Sequence, residues 1–524
     1  MYYNKYSTPF SSCKDHFFEK KAIIHILVTN KGSSCATMIK ANNEGRKSLS
    51  TAELKKAPIQ NSRHTMDMTQ GAILPLIIRF AIPLLLGNLF QQLYNMVDAW
   101  VIGQTGIDAA YAAVGNVGPV TNILIGFFSG FATGAGVLIS QNFGKGDHEK
   151  VSRSVHTAVA MTLILSAVFT LVGILLAPWI CNVIFDKNGS SNITPYAIEY
   201  LTIYFAGSTF LLIYNMGSGI LRAVGDSKHP FYYLVYSALT NIVLDLVFVF
   251  GLKMGVAGVA IATVLAQAVA AFFTVLQLLR IDSSVRLLPK KIALDFPLVK
   301  EIVRLGLPAA IQVGLTAFAN VFVQSYIAGA DGNQTLNLSG FTTYSKVDPI
   351  IFLPMTTFGL AITTFVGQNV GVGNYKRARK GTFLTIGLTY ATIAVLILIV
   401  WIFAPGVSRI FNSNPEVCDI AVMLLRTLGP CYLFCPLNQL LAGSLRGLGK
   451  SSVPMITMLT CFVGLRQVYL FITSNYISNS LLAVVLSYPF GWFTCAMMIA
   501  PMYLYLQRKE EKKHLSLHSE LATN

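Results

Sequence analysis

The chain has 524 residues, of which 54% are hydrophobic and only 12% charged, with a formal net charge of +16. Soluble domains carry about 25% charged residues, so these proportions exclude a large soluble protein and point to an all-α polytopic membrane protein. The positive excess would suit nucleic acid if it were clustered on a polar domain, but it lies in short segments between apolar runs.

Residues 1–65 are polar, basic and aperiodic, and their one apolar run, Ala22 to Val28, is too short to span and contains His25. This segment reads either as a disordered cytoplasmic tail or as an upstream extension, with Met66 or Met68 as the working start. Twelve hydrophobic runs of spanning length follow, at about 73–102, 109–139, 154–180, 194–221, 230–252, 254–279, 298–328, 338–367, 381–404, 416–445, 452–473 and 480–506. No loop is long enough to fold as a soluble domain. The expected division is a first half at 66–285, a second half at 286–508 and a cytoplasmic tail at 509–524.

Of the 39 Lys and Arg, 32 fall in the N-terminal tail, the even-numbered loops and the C-terminal tail. Only Lys187, Lys253 and Arg409 lie on the other side, while Arg79, Lys346, Arg426 and Arg466 lie within spans. Both termini are therefore expected in the cytoplasm, with the protein in the plasma (inner) membrane. The charge is a topology signal, and no nucleic-acid partner is implied. Eight scattered cysteines (13, 35, 181, 418, 431, 435, 461 and 495) form no CxxC pair and read as small core residues.

The two halves repeat. Gln141–Val151 (QNFGKGDHEKV) aligns with Gln368–Ala378 (QNVGVGNYKRA), Leu221–Pro230 (LRAVGDSKHP) with Leu445–Pro454 (LRGLGKSSVP), and Arg79–Pro83 (RFAIP) with Arg304–Pro308 (RLGLP). The offsets are 227, 224 and 225. Each half has six spans, so both sit the same way up, as two six-helix lobes around a central cleft, the parallel-repeat plan of many secondary transporters.

What the copies do not share locates the chemistry. In the first span Asn88, Gln91, Gln92, Asn95 and Asp98 recur at helical spacing on one face. Amides there are explained by helix packing; a carboxylate costs about 2.5–3.5 kcal/mol to insert and marks a path for a cation or proton. In the fifth span Asn241 and Asp245 are four apart and share a face. Asp98 and Asp245 map to Val323 and Tyr469 in the second half, so both acids are missing from the copy. Two acids and an amide form an oxygen-ligand site for a hard cation, or a pair sharing one proton. The competing reading is a structural hydrogen-bonded pair.

GNLFQQLYNMVDAWVIG in the first span, the QNxG loops, the LRAxGD turn and NIVLD in the fifth span together resemble the multidrug and toxic compound extrusion (MATE) family, in its bacterial DinF-like branch, over about residues 66–508. The resemblance implies cation-coupled export of cationic or amphipathic organic compounds by alternating access between two six-helix lobes. It also implies a cation site at Asp98, Asn241, Asp245, Thr263 and Tyr200, with a proton or sodium as coupling ion and no cofactor. Small organic molecules and the bilayer would be the partners of a monomer.

The second half carries its own charges within spans. Lys346 and Asp348 are two apart and cannot pair along one face. Arg466 is expected either to pair with Asp348 across helices or to serve substrate or proton traffic. Gln312, Thr316, Asn320 and Gln324 recur every four residues in the seventh span and either line a cavity or hold helices together. LAGSLRGLGKSS has Ser444 where a phosphate-binding loop needs its first glycine, which disfavours ATP drive. No HExxH pattern supports a metal enzyme, and sodium at Asp98, Asn241 and Asp245 is the one metal the residues accommodate. The alternative function is a lipid-linked saccharide flippase of related fold, for which Lys346, Arg426 and Arg466 would supply a basic cavity. A membrane enzyme would need polar catalytic loops, and the loops are short.

Overall fold

A computed structural model describes residues 65–104, 107–185 and 192–523. Residues 1–64, and with them most of the basic N-terminal segment, lie outside the described residues, as does Lys187. The described residues form helices and no strands. In chain order the helices are α1 (Ile73–Gly103), α2 (Asp108–Lys145), α3 (His148–Phe185), α4 (Thr194–Ala206) and α5 (Ser208–Ala223). Then come α6 (Lys228–Gly251), α7 (Gly255–Arg280), α8 (Phe296–Gly329) and α9 (Gln334–Gly371). The last four are α10 (Tyr375–Phe411), α11 (Pro415–Gly447), α12 (Ser452–Ile477) and α13 (Leu481–Ser516).

Eleven of these are long and apolar enough to span a membrane, and α4 with α5 makes a twelfth span bent by 48°. The bend falls at Gly207, a break that hydropathy does not register because both arms are apolar. Several helices outrun their predicted apolar limits. Residues 509–523, read from sequence only as a tail, continue the last helix. They dock through Lys450–Glu510 (2.9 Å) and Arg379–Glu511 (3.4 Å), next to the bond from Gln507 Nε2 to Tyr375 O (2.9 Å).

The two halves meet most closely where α2 crosses α8. A side chain on Gly134 would lie 2.4 Å from the Gly306 backbone, so only hydrogen at that position lets the helices pack main chain to main chain. At the end of the bundle where α1 begins, the repeated motifs bond to each other across the seam. Gln141 Nε2 donates to Gly447 O (2.8 Å) and Gln368 Nε2 donates to Ala223 O (3.0 Å). Each glutamine of a QNxG motif thus holds the LRxxG turn of the opposite half. Gly144 is packed against Gln368 O, where a Cβ would lie at 2.1 Å.

The segment before α1 runs over the same seam. Met66 N donates to Val224 O (3.0 Å) in the first half, and Met68 N to Gln368 Oε1 (2.9 Å) in the second. Asn369 and Arg377 bond to Met68 O, and Arg377 also reaches Gln70 O and Gly71 O. Removing Gln368 leaves Met68 N and Ala223 O buried without partners, at about 1–3 kcal/mol for each such group. Gln368→Ala is therefore expected to lower thermal stability in detergent by about that amount or more, measured by the shift in unfolding midpoint; an unchanged midpoint would show the bonds to be dispensable.

Candidate functional site

Asp98 lies near the far end of α1, and Asp245 ends the regular part of α6. Beyond it, Leu246–Gly251 widens into a π-helical turn, a distortion common at functional sites and not readable from the sequence. Asp98 is 9% exposed, Asn241 1% and Asp245 0%. The two carboxyl groups come within hydrogen-bonding reach of each other, and the Asn241 amide lies beside Asp98. Nevertheless Asp98 Oδ1, both oxygens of Asp245 and both polar atoms of Asn241 are buried without a hydrogen-bond partner.

Two carboxylates facing each other away from water cannot both carry bare charge. A proton held between them, or a hard cation taking their oxygens and the Asn241 carbonyl, would satisfy the group. The donors are all oxygens, and among the described residues no three His, Cys, Asp or Glu side chains group as a metal site.

Tyr200 is buried within electrostatic reach of both acids and stacks on Tyr204, with ring centroids 6.1 Å apart. Tyr94, which the sequence reading passed over, stands beside Asp98; its place four residues before the acid was the available signal. Thr263 is buried in α7 and gives its hydroxyl proton to Val259 O in its own helix (3.0 Å). Among the described residues no hydrogen bond joins it to the acids. The structure thus gathers Asp98, Asn241, Asp245 and Tyr200, with Thr263 turned to its own backbone.

Two chambers lie between the helices. One, of about 190 Å³, is lined by Asn88, Gln91, Tyr94, Asn215 and Arg222 among others; the second, of about 440 Å³, by Gln312, Thr316, Asn320 and Arg446. Ser129 and Leu360 line both, so the chambers adjoin. The seventh-span stripe is therefore cavity wall as far as Asn320, while Gln324 is exposed and outside it. In the first span Asn88 also reaches Thr357 Oγ1 (3.4 Å), whereas Gln92 and Asn95 line neither chamber and Asn95 is exposed.

Several expectations for the second half need correction. Lys346 is exposed, not buried, because it faces away from the packed side of α9 that carries Val347. Arg466 does not pair with Asp348. It is 3% exposed, donates to Asn320 Oδ1 (2.9 Å) and lies 5.1 Å from the centre of the Tyr488 ring. Asp348 instead meets the hydroxyls of Tyr344 (3.2 Å) and Tyr432, which lie 2.6 Å from each other, so the two phenol protons are shared among these three oxygens. Phenol donors already satisfy the acid, so it needs no arginine. Arg426 is exposed and stacks on Trp401. Arg222 and Arg446, counted as loop charges from sequence, lie on the last turns of α5 and α11 and reach into the chambers.

The MatE family model matches residues 83–247 and again 308–472, two copies 225 residues apart (83 to 308). "Probable multidrug resistance protein YoeA" of Bacillus subtilis is 28% identical over 451 residues, covering 82% of this chain and 94% of its own. "Probable multidrug resistance protein NorM" of Thermotoga maritima is 30% identical over 400 residues, covering 72% and 81%. A solved outward-facing structure of a multidrug resistance MATE family transporter superposes with a TM-score of 0.79 at 23% identity, covering 86% of this chain and 98% of that one.

If the acids face each other rather than a structural donor, neutralising one without changing its shape removes no needed bond. Asp98→Asn should therefore unfold in detergent within about 1 kcal/mol of wild type, or later. A loss above about 2 kcal/mol would mark Asp98 as a structural bonding partner instead.

Proposed function

Because the chain belongs to the MatE family, whose members are transporters and not enzymes, we propose that it exports cationic or amphipathic organic compounds in exchange for a proton or sodium ion. The observation that carries this reading is the buried, donorless pair Asp98–Asp245 with Asn241 beside it. In the proposed cycle a cation entering from outside binds the pair and favours one arrangement of the two halves. Its release inward favours the other, in which substrate is taken up. Asp98 and Asp245 hold the cation or proton and Asn241 offers its carbonyl, with Tyr200 and Thr263 walling the site.

A membrane potential supplies about 2.3 kcal/mol per charge per 100 mV, enough for about 50-fold accumulation per charge moved. The reading places the protein in the plasma membrane, with both termini cytoplasmic and each monomer working alone. It extends to this chain what the names of YoeA and NorM say of those proteins.

The flippase alternative is not favoured. YoeA and NorM bear multidrug-resistance names, and of the three basic residues that would have supported it, Lys346 and Arg426 are exposed and only Arg466 is buried.

The test is transport in proteoliposomes, with pH and sodium gradients imposed separately and ethidium as substrate. Wild-type protein should move ethidium under at least one gradient. Asp98→Asn and Asp245→Asn should fall to the level of protein-free vesicles while remaining folded. Wild-type rates in Asp98→Asn would remove the coupling assignment.

A further inference from the structure

The walls of the two central chambers carry charge of one sign. Among the described residues, the only charged ones lining them are Arg222 in the smaller and Arg446 in the larger. These are repeat mates, the arginines of LRAVG and LRGLG, and neither is among the five ion pairs of the described residues. Their surroundings differ by one position. Arg222 Nη1 donates to Ser218 Oγ, four residues earlier, at 2.7 Å. The matching residue before Arg446 is Ala442, which has no acceptor to offer. Arg446 is left with Nη2 on Gln312 Oε1 at 3.3 Å, and its Nε is buried without a partner.

A guanidinium has five N–H donors in a rigid fork suited to a carboxylate. Behind the same chamber Arg466 also has a buried, unpartnered Nε, and its bond to Asn320 occupies that amide's oxygen. Of the wall's three amide side chains, Gln312 and Asn320 thus already give their oxygens to arginines, and Gln439 does not. A second positive charge entering there would be repelled, and a carboxylate would relieve the unpaired one. Val313, Leu360, Met458 and Phe462 give the rest of the chamber an apolar surface.

Resting on the transport reading above and naming its substrate class, we propose that the larger chamber binds the carboxylate of a zwitterionic amphiphile at Arg446, with the apolar body along those side chains. Simple organic cations lack the group this chamber selects.

Two xanthene dyes differing only in that group serve as probes: rhodamine 110, a free acid, and rhodamine 123, its methyl ester. Binding to the purified full-length protein is read by fluorescence anisotropy. Wild type should bind the acid at least about tenfold more tightly than the ester. Arg446→Gln should bring the two within about twofold by weakening the acid alone, and Arg446→Lys should keep part of the preference. Equal binding by wild type, or a preference that survives in Arg446→Gln, overturns the proposal. If Arg446→Gln binds neither dye, the lysine variant decides: retained preference supports the site, and equal binding overturns it. Gradient-driven transport of rhodamine 110 by the same preparation in proteoliposomes separates the two readings. Transport without acid preference removes this site alone; acid preference without gradient-driven transport of any dye removes the exchange reading and leaves the site.

Discussion

In a hydrocarbon layer no water is at hand to satisfy a polar group, so each one on a spanning helix must find a partner within the protein or stand as a cost of several kcal/mol. Sorting the polar groups by that rule organises the whole molecule. The glutamines of the QNxG motifs are satisfied, each by the carbonyl of the opposite half. So is Asp348, by two phenols. Among the described residues, the carboxylate and guanidinium groups with a buried, unpartnered atom are Asp98 and Asp245, beside Asn241, in the first half and Arg446 and Arg466 in the second. The satisfied groups hold the fold; the unsatisfied charged ones are those on which the proposals above rest.

The duplication explains why the leftovers differ in sign. Both copies keep the same frame: prolines inside the first helix of each at Pro83 and Pro308, and reciprocal motif contacts at the seam. The acids survive only in the first copy. In the second, loss of the serine one turn before the motif arginine leaves Arg446 partly unpartnered. Three single-residue differences on a shared scaffold, at Asp98, Asp245 and Ser218 and their mates Val323, Tyr469 and Ala442, separate the buried acid pair of one half from the partly unpartnered arginine of the other.

Much of this was legible in the sequence, for identifiable reasons. Span count follows from hydropathy because lipid permits little else, and the repeat from three motif pairs at nearly one offset. The meeting of Asp98 and Asp245 could be anticipated because lone acids in lipid are so costly. What stayed hidden depends on side-chain direction or local backbone form. Spacing could not show that Lys346 turns outward, that phenols from α9 and α11 satisfy Asp348, or that α6 loosens into a π turn after Asp245. Arg222 and Arg446 were hidden for a different reason. Counting basic residues by loop assumes that helices stop at the edge of the apolar run, and here they run on, carrying both guanidinium groups back into the interior.

The strap from Met66 to Gly71 has a bearing on how such a molecule can open. It is tied to Val224 on one side of the seam and to Gln368, Asn369 and Arg377 on the other, and it continues directly into the helix that carries Asp98. Any parting of the halves at this end has to peel the strap from one bank or the other. Whichever bank keeps it, the pull is transmitted along α1. A short stretch of chain before α1 thereby ties the seam at one end to the helix that carries the acid near its other end.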